Sequence, residues 1–190
     1  MKVIDVDNYD PINLSGLIKE HDAWFVVVRG YLDGEIPPEY IAKWQIESVR
    51  QNNAIALMYH WAYAEFDPDE TVRQADEAMS EFLIPGPLVI DLEDYKDTRP
   101  NREWFDKCIK AIRRRQRRPC IYSRTNWLEE YIGDLSEWPD VVYWLADYRG
   151  YKFEELPLPK GVTRDQVVAY QYAEKHPIDL NWFRDDFILL

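Results

Sequence analysis

Short apolar runs alternate with amphipathic stretches along this chain, and no other feature limits the fold as strongly. Runs near residues 2–6, 24–29, 54–60, 87–92 and 119–123 read as strands. Each is followed by a helix signal: residues 15–20, a segment opening after Pro37-Pro38 and running to 52, residues 68–83 behind the acidic turn "DPDE", residues 100–117, and residues 125–132. Three further strand candidates, 141–146, 166–172 and 178–180, come late with little helix between them. Five βα units and then three strands predict an α/β fold with a parallel sheet. Eight strands predict closure into a TIM-barrel-like barrel. An open doubly wound sheet is the alternative. With 190 residues the chain reads as one domain over 1–190, large enough for a sizeable core.

The fourth run, "PLVIDLEDY", contains a contradiction. Val89, Ile90 and Leu92 suit a strand buried on both faces, yet the same run carries Asp91 and Glu93. Residues two apart on a strand share a side, so these carboxylates are expected to sit adjacent, roughly 6–7 Å apart at Cα. Placing them there is costly unless water, partners or function compensates. In barrels of this kind the C-terminal strand ends build the active site. The predicted ends supply Asp5 and Asp7, Arg29 and Tyr31, then Tyr59, His60 and Trp61, then Asp91 and Glu93. The later strands add Tyr122 and Ser123, Trp144 and Asp147, Gln171 and Asp179. Convergence of these acids among aromatics makes the pair at 91 and 93 read as chemistry.

Composition narrows the chemistry. Aromatic residues make up 15% of the chain, with 8 Trp and 13 Tyr, enough to fill a core or to line a groove for flat sugar faces. The formal charge is 23 − 35 = −12, which argues against a nucleic-acid partner and against adsorption to anionic membranes. The run "RRRQRR" at 113–118 is the exception and reads as a solvated helix end, where cations suit the helix dipole. Cys108 and Cys120 are too few for a disulfide framework. No signal peptide precedes "MKVIDVD" and no apolar run approaches transmembrane length, so synthesis in a cytoplasm without membrane insertion is expected.

Two chemistries fit an acid-rich aromatic mouth. Glycoside hydrolysis needs one carboxyl to protonate the leaving oxygen and another to support the oxocarbenium-like centre. Crowding of like charges keeps one of the two protonated near neutral pH. A divalent-metal hydrolase also uses clustered carboxylates. Against it, only His60 stands nearby, and Arg and Lys are sparse around the mouth.

The ordered motifs then point to one family. "IDVDNYDPIN", "WFVVVRGYLDG", "ALMYHWAY", "PLVIDLED", "PCIYSRTNWL", "VYWLADY", "VVAYQY" and "IDLNWF" follow one another at the family's spacing. On them the chain resembles the Chalaropsis-type lysozymes, glycoside hydrolase family 25, over essentially its full length. The resemblance implies a flattened barrel of five βα units plus three further strands, and cleavage of the β-1,4 bond between N-acetylmuramic acid and N-acetylglucosamine in peptidoglycan, with no cofactor. It makes Glu93 the general acid and Asp91 the group that orients the substrate's acetamido group or stabilises developing charge. Asp5 and Asp179 complete the acidic cluster. Tyr59, Trp61, Tyr122, Trp144 and Gln171 become saccharide contacts, together with Tyr31 and Asp147. His60 is assigned to structure, and Trp24, Trp44, Trp104 and Trp127 to packing.

Some features depart from a free wall-lytic enzyme. Asp7 and Asp10 make the mouth more acidic, no wall-binding repeat follows the barrel, and the charge of −12 disfavours approach to an anionic wall. These features point to a phage-type lysozyme acting on the bacterial wall, released for lysis or carried in the virion, with other phage proteins as partners. The rival readings are a catalytically silent phage structural or wall-binding module with the same barrel, a hydrolase of another amino-sugar polymer, and the metal-dependent hydrolase.

Overall fold

The structure, a computed structural model, describes residues 1–6, 13–32, 39–94, 99–175 and 177–189, without the side chains of 31, 32 and 39–41. Asp7 and Asp10, and the side chain of Tyr31, therefore lie outside the described residues. The elements run β1 (Lys2–Val6), α1 (Leu14–His21), β2 (Phe25–Leu32), α2 (Glu39–Gln51), β3 (Ile55–Trp61), α3 (Pro68–Glu81) and β4 (Leu88–Asp91). They continue through α4 (Arg102–Arg114), β5 (Pro119–Arg124), α5 (Thr125–Tyr131), β6 (Val142–Ala146), β7 (Val167–Lys175) and β8 (Ile178–Phe183). The eight strands close into a barrel in sequence order.

Strands β1 to β7 are mutually parallel, while β8 is antiparallel to both β7 and β1. The barrel is therefore mixed rather than wholly parallel. The cause is the connection: Lys175 pairs with Ile178, so a tight hairpin joins β7 to β8, and a hairpin reverses direction where a crossover would preserve it.

Local signals set the helix ends. The Asn13 side chain accepts from the Gly16 amide, that of Asp67 from the Asp69 and Glu70 amides with Pro68 following, and that of Asn101 from the Trp104 amide. The "RRRQRR" run does not end in free solvent. Arg113 pairs with Asp140, Arg114 with Asp69 and Arg117 with Asp76, tying the end of α4 to α3 and to the turn before β6.

Strand alternation sorts the side chains into two layers. Leu88, Ile90 and Leu92 pack outward against the helices, while Val89 packs inside the barrel. The interior is filled by aromatic side chains. Trp144 meets Tyr122 at 4.8 Å and Phe183 at 5.0 Å between ring centroids, and Phe183 meets Phe187 at 4.4 Å. Two tryptophans assigned to packing behave otherwise: Trp24 is 71% and Trp44 41% exposed. In α2 the buried stripe is Ala42, Gln45, Ile46 and Val49, and Trp44 falls off it. Trp104 and Trp127 are buried as expected.

Candidate active site

At the C-terminal ends of the parallel strands lies a cavity of about 270 Å³, of the scale of a sugar ring. Its lining includes Asp5, Arg29, Tyr59, Trp61, Asp91, Glu93, Tyr122, Trp144, Gln171 and Asp179, ten of the residues named from the sequence. Asp179 reaches this mouth because β8 is reversed: it sits near the start of that strand, directly opposite Asp5 on β1 and Glu174 on β7.

The peptide around Asp91 is pinned on both sides. The Ala62 amide donates to the Asp91 carbonyl, the Leu92 amide to the Tyr122 carbonyl, and the Ser123 hydroxyl to the Leu92 carbonyl at 2.7 Å. Leu92 is fully buried in the outer layer, which leaves the residues on either side to face the cavity. The strand itself ends at Asp91, so Glu93 stands just beyond the ladder on a segment held by these bonds.

Both carboxyls hold protons more tightly than usual. For Asp91 burial is the main cause, reinforced by Glu93 and opposed by the Arg29 guanidinium. For Glu93 burial again dominates, opposed by Arg124 and reinforced by Glu174 and Asp179. Two interacting carboxyls lose their protons as a pair, so the site retains a proton to higher pH than isolated acids would. The Asp91 Oδ1 and the Trp61 indole N–H are buried and have no hydrogen-bond partner among the described residues.

Gln171 organises the opposite wall. Its side-chain oxygen accepts from the Tyr122 hydroxyl and, at 2.8 Å, from the Tyr148 hydroxyl. Its amide nitrogen donates to Asp179 at 2.9 Å and to Asp5 at 3.3 Å. Asn181 links Asp5 to the Trp144 indole, donating to the first and accepting from the second at 2.9 Å. The Gln171 amide thus has its full complement of bonds. It lines the cavity, where the sequence placed it, with its amide already engaged by four neighbours. The Tyr122 phenol is pushed up by burial and by the two carboxyls, so it remains a neutral donor. Trp144 is both floor and core.

Asp147 does not line the cavity. Its carboxylate is bound by the Arg149 side chain and backbone amide, and this pairing holds it below the usual carboxylate range. His60 is buried and absent from the cavity lining, on the opposite strand face from Tyr59 and Trp61. Sequence reading left Arg124, Tyr148, Glu174, Ile178 and Asn181 out of the site. Arg124 and Asn181 fit the period-two rule and could have been found by extending it along β5 and back along β8. Ile178 depends on the reversal of β8 and Glu174 on the register shift in β7 between Gln171 and Ala173, neither of which periodicity reveals. Among the described residues no group of three or more His, Cys, Asp or Glu is arranged to hold a metal ion, and no helix is long and apolar enough to cross a membrane.

Comparisons with known proteins agree with this geometry. Residues 4–179 match the sequence profile "Glycosyl hydrolases family 25". A search of curated proteins gave no match. Among solved structures, a muramidase from Acremonium alcalophilum is similar at TM-score 0.77 and 20% identity, covering 98% of this chain and 94% of that one. A family 25 glycosyl hydrolase from Bacillus anthracis is similar at TM-score 0.74 and 19% identity, covering 100% and 92%. The CTP1L endolysin is similar at TM-score 0.71 and 18% identity, covering 98% and 67%.

Proposed function

Since the chain belongs to glycosyl hydrolase family 25, and so is a glycoside hydrolase, we propose that its barrel is a single catalytic unit that cleaves the muramyl β-1,4 bond of peptidoglycan. The observation that carries the reading is Glu93, a carboxyl at the edge of a sugar-sized cavity whose proton is retained by burial. Glu93 donates that proton to the leaving glycosidic oxygen as the bond to the anomeric carbon breaks. The Asp91 Oδ1 accepts the N–H of the substrate's own acetamido group. A hydrogen bond to the ionised form favours that form, so substrate binding places the shared proton on Glu93. The acetamido oxygen, made more nucleophilic, closes on the anomeric carbon, and Glu93 then takes a proton from the water that opens this ring.

Asp5 and Asp179 face this chemistry from the far side of the mouth, since β8 stands four places from β4 in the ring. The stereochemical outcome we expect is retention at the anomeric carbon. The opposing acids already accept amide bonds from Asn181 and Gln171 and serve as fixed negative charge, while Asp91 and Glu93 do the chemistry. Tyr59, Trp61 and Tyr122 shape the sugar site. The endolysin among the structural neighbours and the charge of −12 support a phage-type setting, as a lysis enzyme or a virion component. Incubating the purified chain with peptidoglycan and identifying the sugar at each new reducing end tests the assignment. Muramic acid ends are expected; N-acetylglucosamine ends, or none, would sink it.

A further inference from the structure

Two guanidinium groups line a cavity otherwise rich in carboxylates, and they differ in kind. Arg29 is buried in the wall beside Asp91. Arg124, the last residue of β5, is exposed at the rim. Its guanidinium lies over the Tyr148 ring, 5.8 Å from the centroid, and that ring is itself fixed by the hydroxyl bond to Gln171. Among the described residues the Arg124 side chain makes no hydrogen bond and no ion pair, although Glu93 and Glu174 share the cavity with it. A planar fork of donors is thus held in position beside a sugar-sized cavity with its hydrogen-bonding capacity unspent.

An acidic wall of this kind repels an anionic ligand, and a muramyl glycan is anionic. Each muramyl residue carries a lactyl ether that ends in a carboxyl group. When that group is amidated by a stem peptide, the peptide's own carboxylates carry the charge. We propose that Arg124 is a specificity-determining residue that binds a carboxylate on the muramyl side chain of the substrate, either the lactyl group or its peptide. This rests on the muramidase reading of the cavity. The same fork sits where a neutral amino-sugar polymer would offer it nothing, so it separates the muramyl glycan from its uncharged relatives.

The test measures kcat and KM for wild type, Arg124→Gln and Arg124→Lys on paired substrates. One pair is peptide-free glycan with free lactyl carboxylates against the same glycan converted to neutral methylamides. The other is peptide-bearing glycan against its carboxyl-amidated form. In wild type the KM for the charged member of one pair is expected to be about tenfold lower, the value of one charge-assisted bond at a half-exposed site. Arg124→Gln should bring that ratio close to one, and Arg124→Lys should retain part of it. The pair that shows the effect identifies the source of the carboxylate. A wild-type ratio near one in both pairs overturns the proposal, as does a ratio that survives in Arg124→Gln. An equal loss of kcat on all four substrates also overturns it, because Arg124 would then act on Glu93 alone. The same pairs are measured as dissociation constants on Glu93→Gln. Arg124-dependent discrimination in binding without wild-type cleavage would refute the muramidase reading and leave the carboxylate site standing.

Discussion

Replacing Gln171 by leucine tests whether one amide holds the far wall of the mouth. Leucine is close in volume but removes all four bonds, to Tyr122, Tyr148, Asp5 and Asp179. The four losses are unequal. Tyr148 is exposed and Asp179 half-buried, so water replaces the amide at both. Asp5 is buried but keeps Asn181, whereas the buried Tyr122 hydroxyl loses its acceptor. Orphaning a buried polar group costs about 1–3 kcal/mol. One orphaned hydroxyl and one partly served carboxylate then come to about 2–4 kcal/mol. In a chain of this length each kcal/mol moves Tm by about 2–4 °C, so a fall of roughly 5–15 °C is expected.

Activity should fall with stability, through kcat more than KM, because Asp5 and Tyr122 lose their orientation rather than their chemistry. Gln171→Glu supplies the control. It keeps the length and an acceptor but sets another carboxylate against Asp5 and Asp179, so it should be worse than leucine near neutral pH and recover on acidification. Urea unfolding followed by tryptophan fluorescence, with kcat and KM on the same preparations, decides the matter. A leucine variant within about 0.5 kcal/mol of wild type and with normal kcat would show the network to be incidental.

Glu93→Gln should lower turnover by at least about 10²–10⁴-fold, and Asp91→Asn should be severely impaired, with both folds intact by circular dichroism. Because burial raises the affinity of both carboxyls for protons, the folded chain holds protons that the unfolded chain has released above about pH 4. Their contribution to stability therefore falls as pH rises through the folded values, and Glu93→Gln should flatten that slope above the ordinary carboxylate range; a slope identical to wild type would contradict it. The first-formed product should be the β-anomer by NMR, and an initial α-anomer would refute retention. Activity on whole walls should rise with moderate salt, while short neutralised fragments respond little, since repulsion between charges is screened over about 10 Å at 0.1 M; fastest wall cleavage at the lowest ionic strength would count against the charge argument.

The barrel was legible because strand and helix periods differ and some helices carry a boundary signal in the sequence, such as Pro68 in the acidic turn that opens α3. The acids were legible for a related reason. A carboxylate inside an apolar run such as "LVIDLED" is costly, so its presence signals a compensating environment. What periodicity could not supply was direction. A two-residue alternation looks the same along a strand read either way, so the reversal of β8 and the approach of Ile178 were hidden in the shortness of one hairpin, and that of Glu174 in the register shift after Gln171. Nor could it supply partners. Asp147 and Gln171 looked like free contacts until Arg149 and the four-bond network around Gln171 were seen. Trp44 shows the same limit for packing, because tryptophan content alone does not say which helix face a residue occupies.

Inside the barrel the strands nevertheless share a rule that connects the fold to the chemistry. On four of the parallel strands the inward-facing side chains are apolar near the N-terminal end and turn polar toward the C-terminal end. Val3 gives way to Asp5, Val27 to Arg29, Val89 to Asp91 and Ala169 to Gln171. On β8 the order runs backwards, from Asp179 through Asn181 to Phe183, as an antiparallel strand requires. The change of character therefore follows the end of the barrel at which the cavity opens and not the direction of the chain. Below it the Trp144–Phe183–Phe187 stack fills the interior and stabilises the molecule. Above it, amide hydrogen bonds from Gln171 and Asn181 hold Asp5 and Asp179 among the aromatic side chains of the mouth. That division explains why substitutions of Asp91 or Glu93 are expected to spare the fold, while loss of the neutral Gln171, which performs no chemistry, is expected to damage both fold and activity.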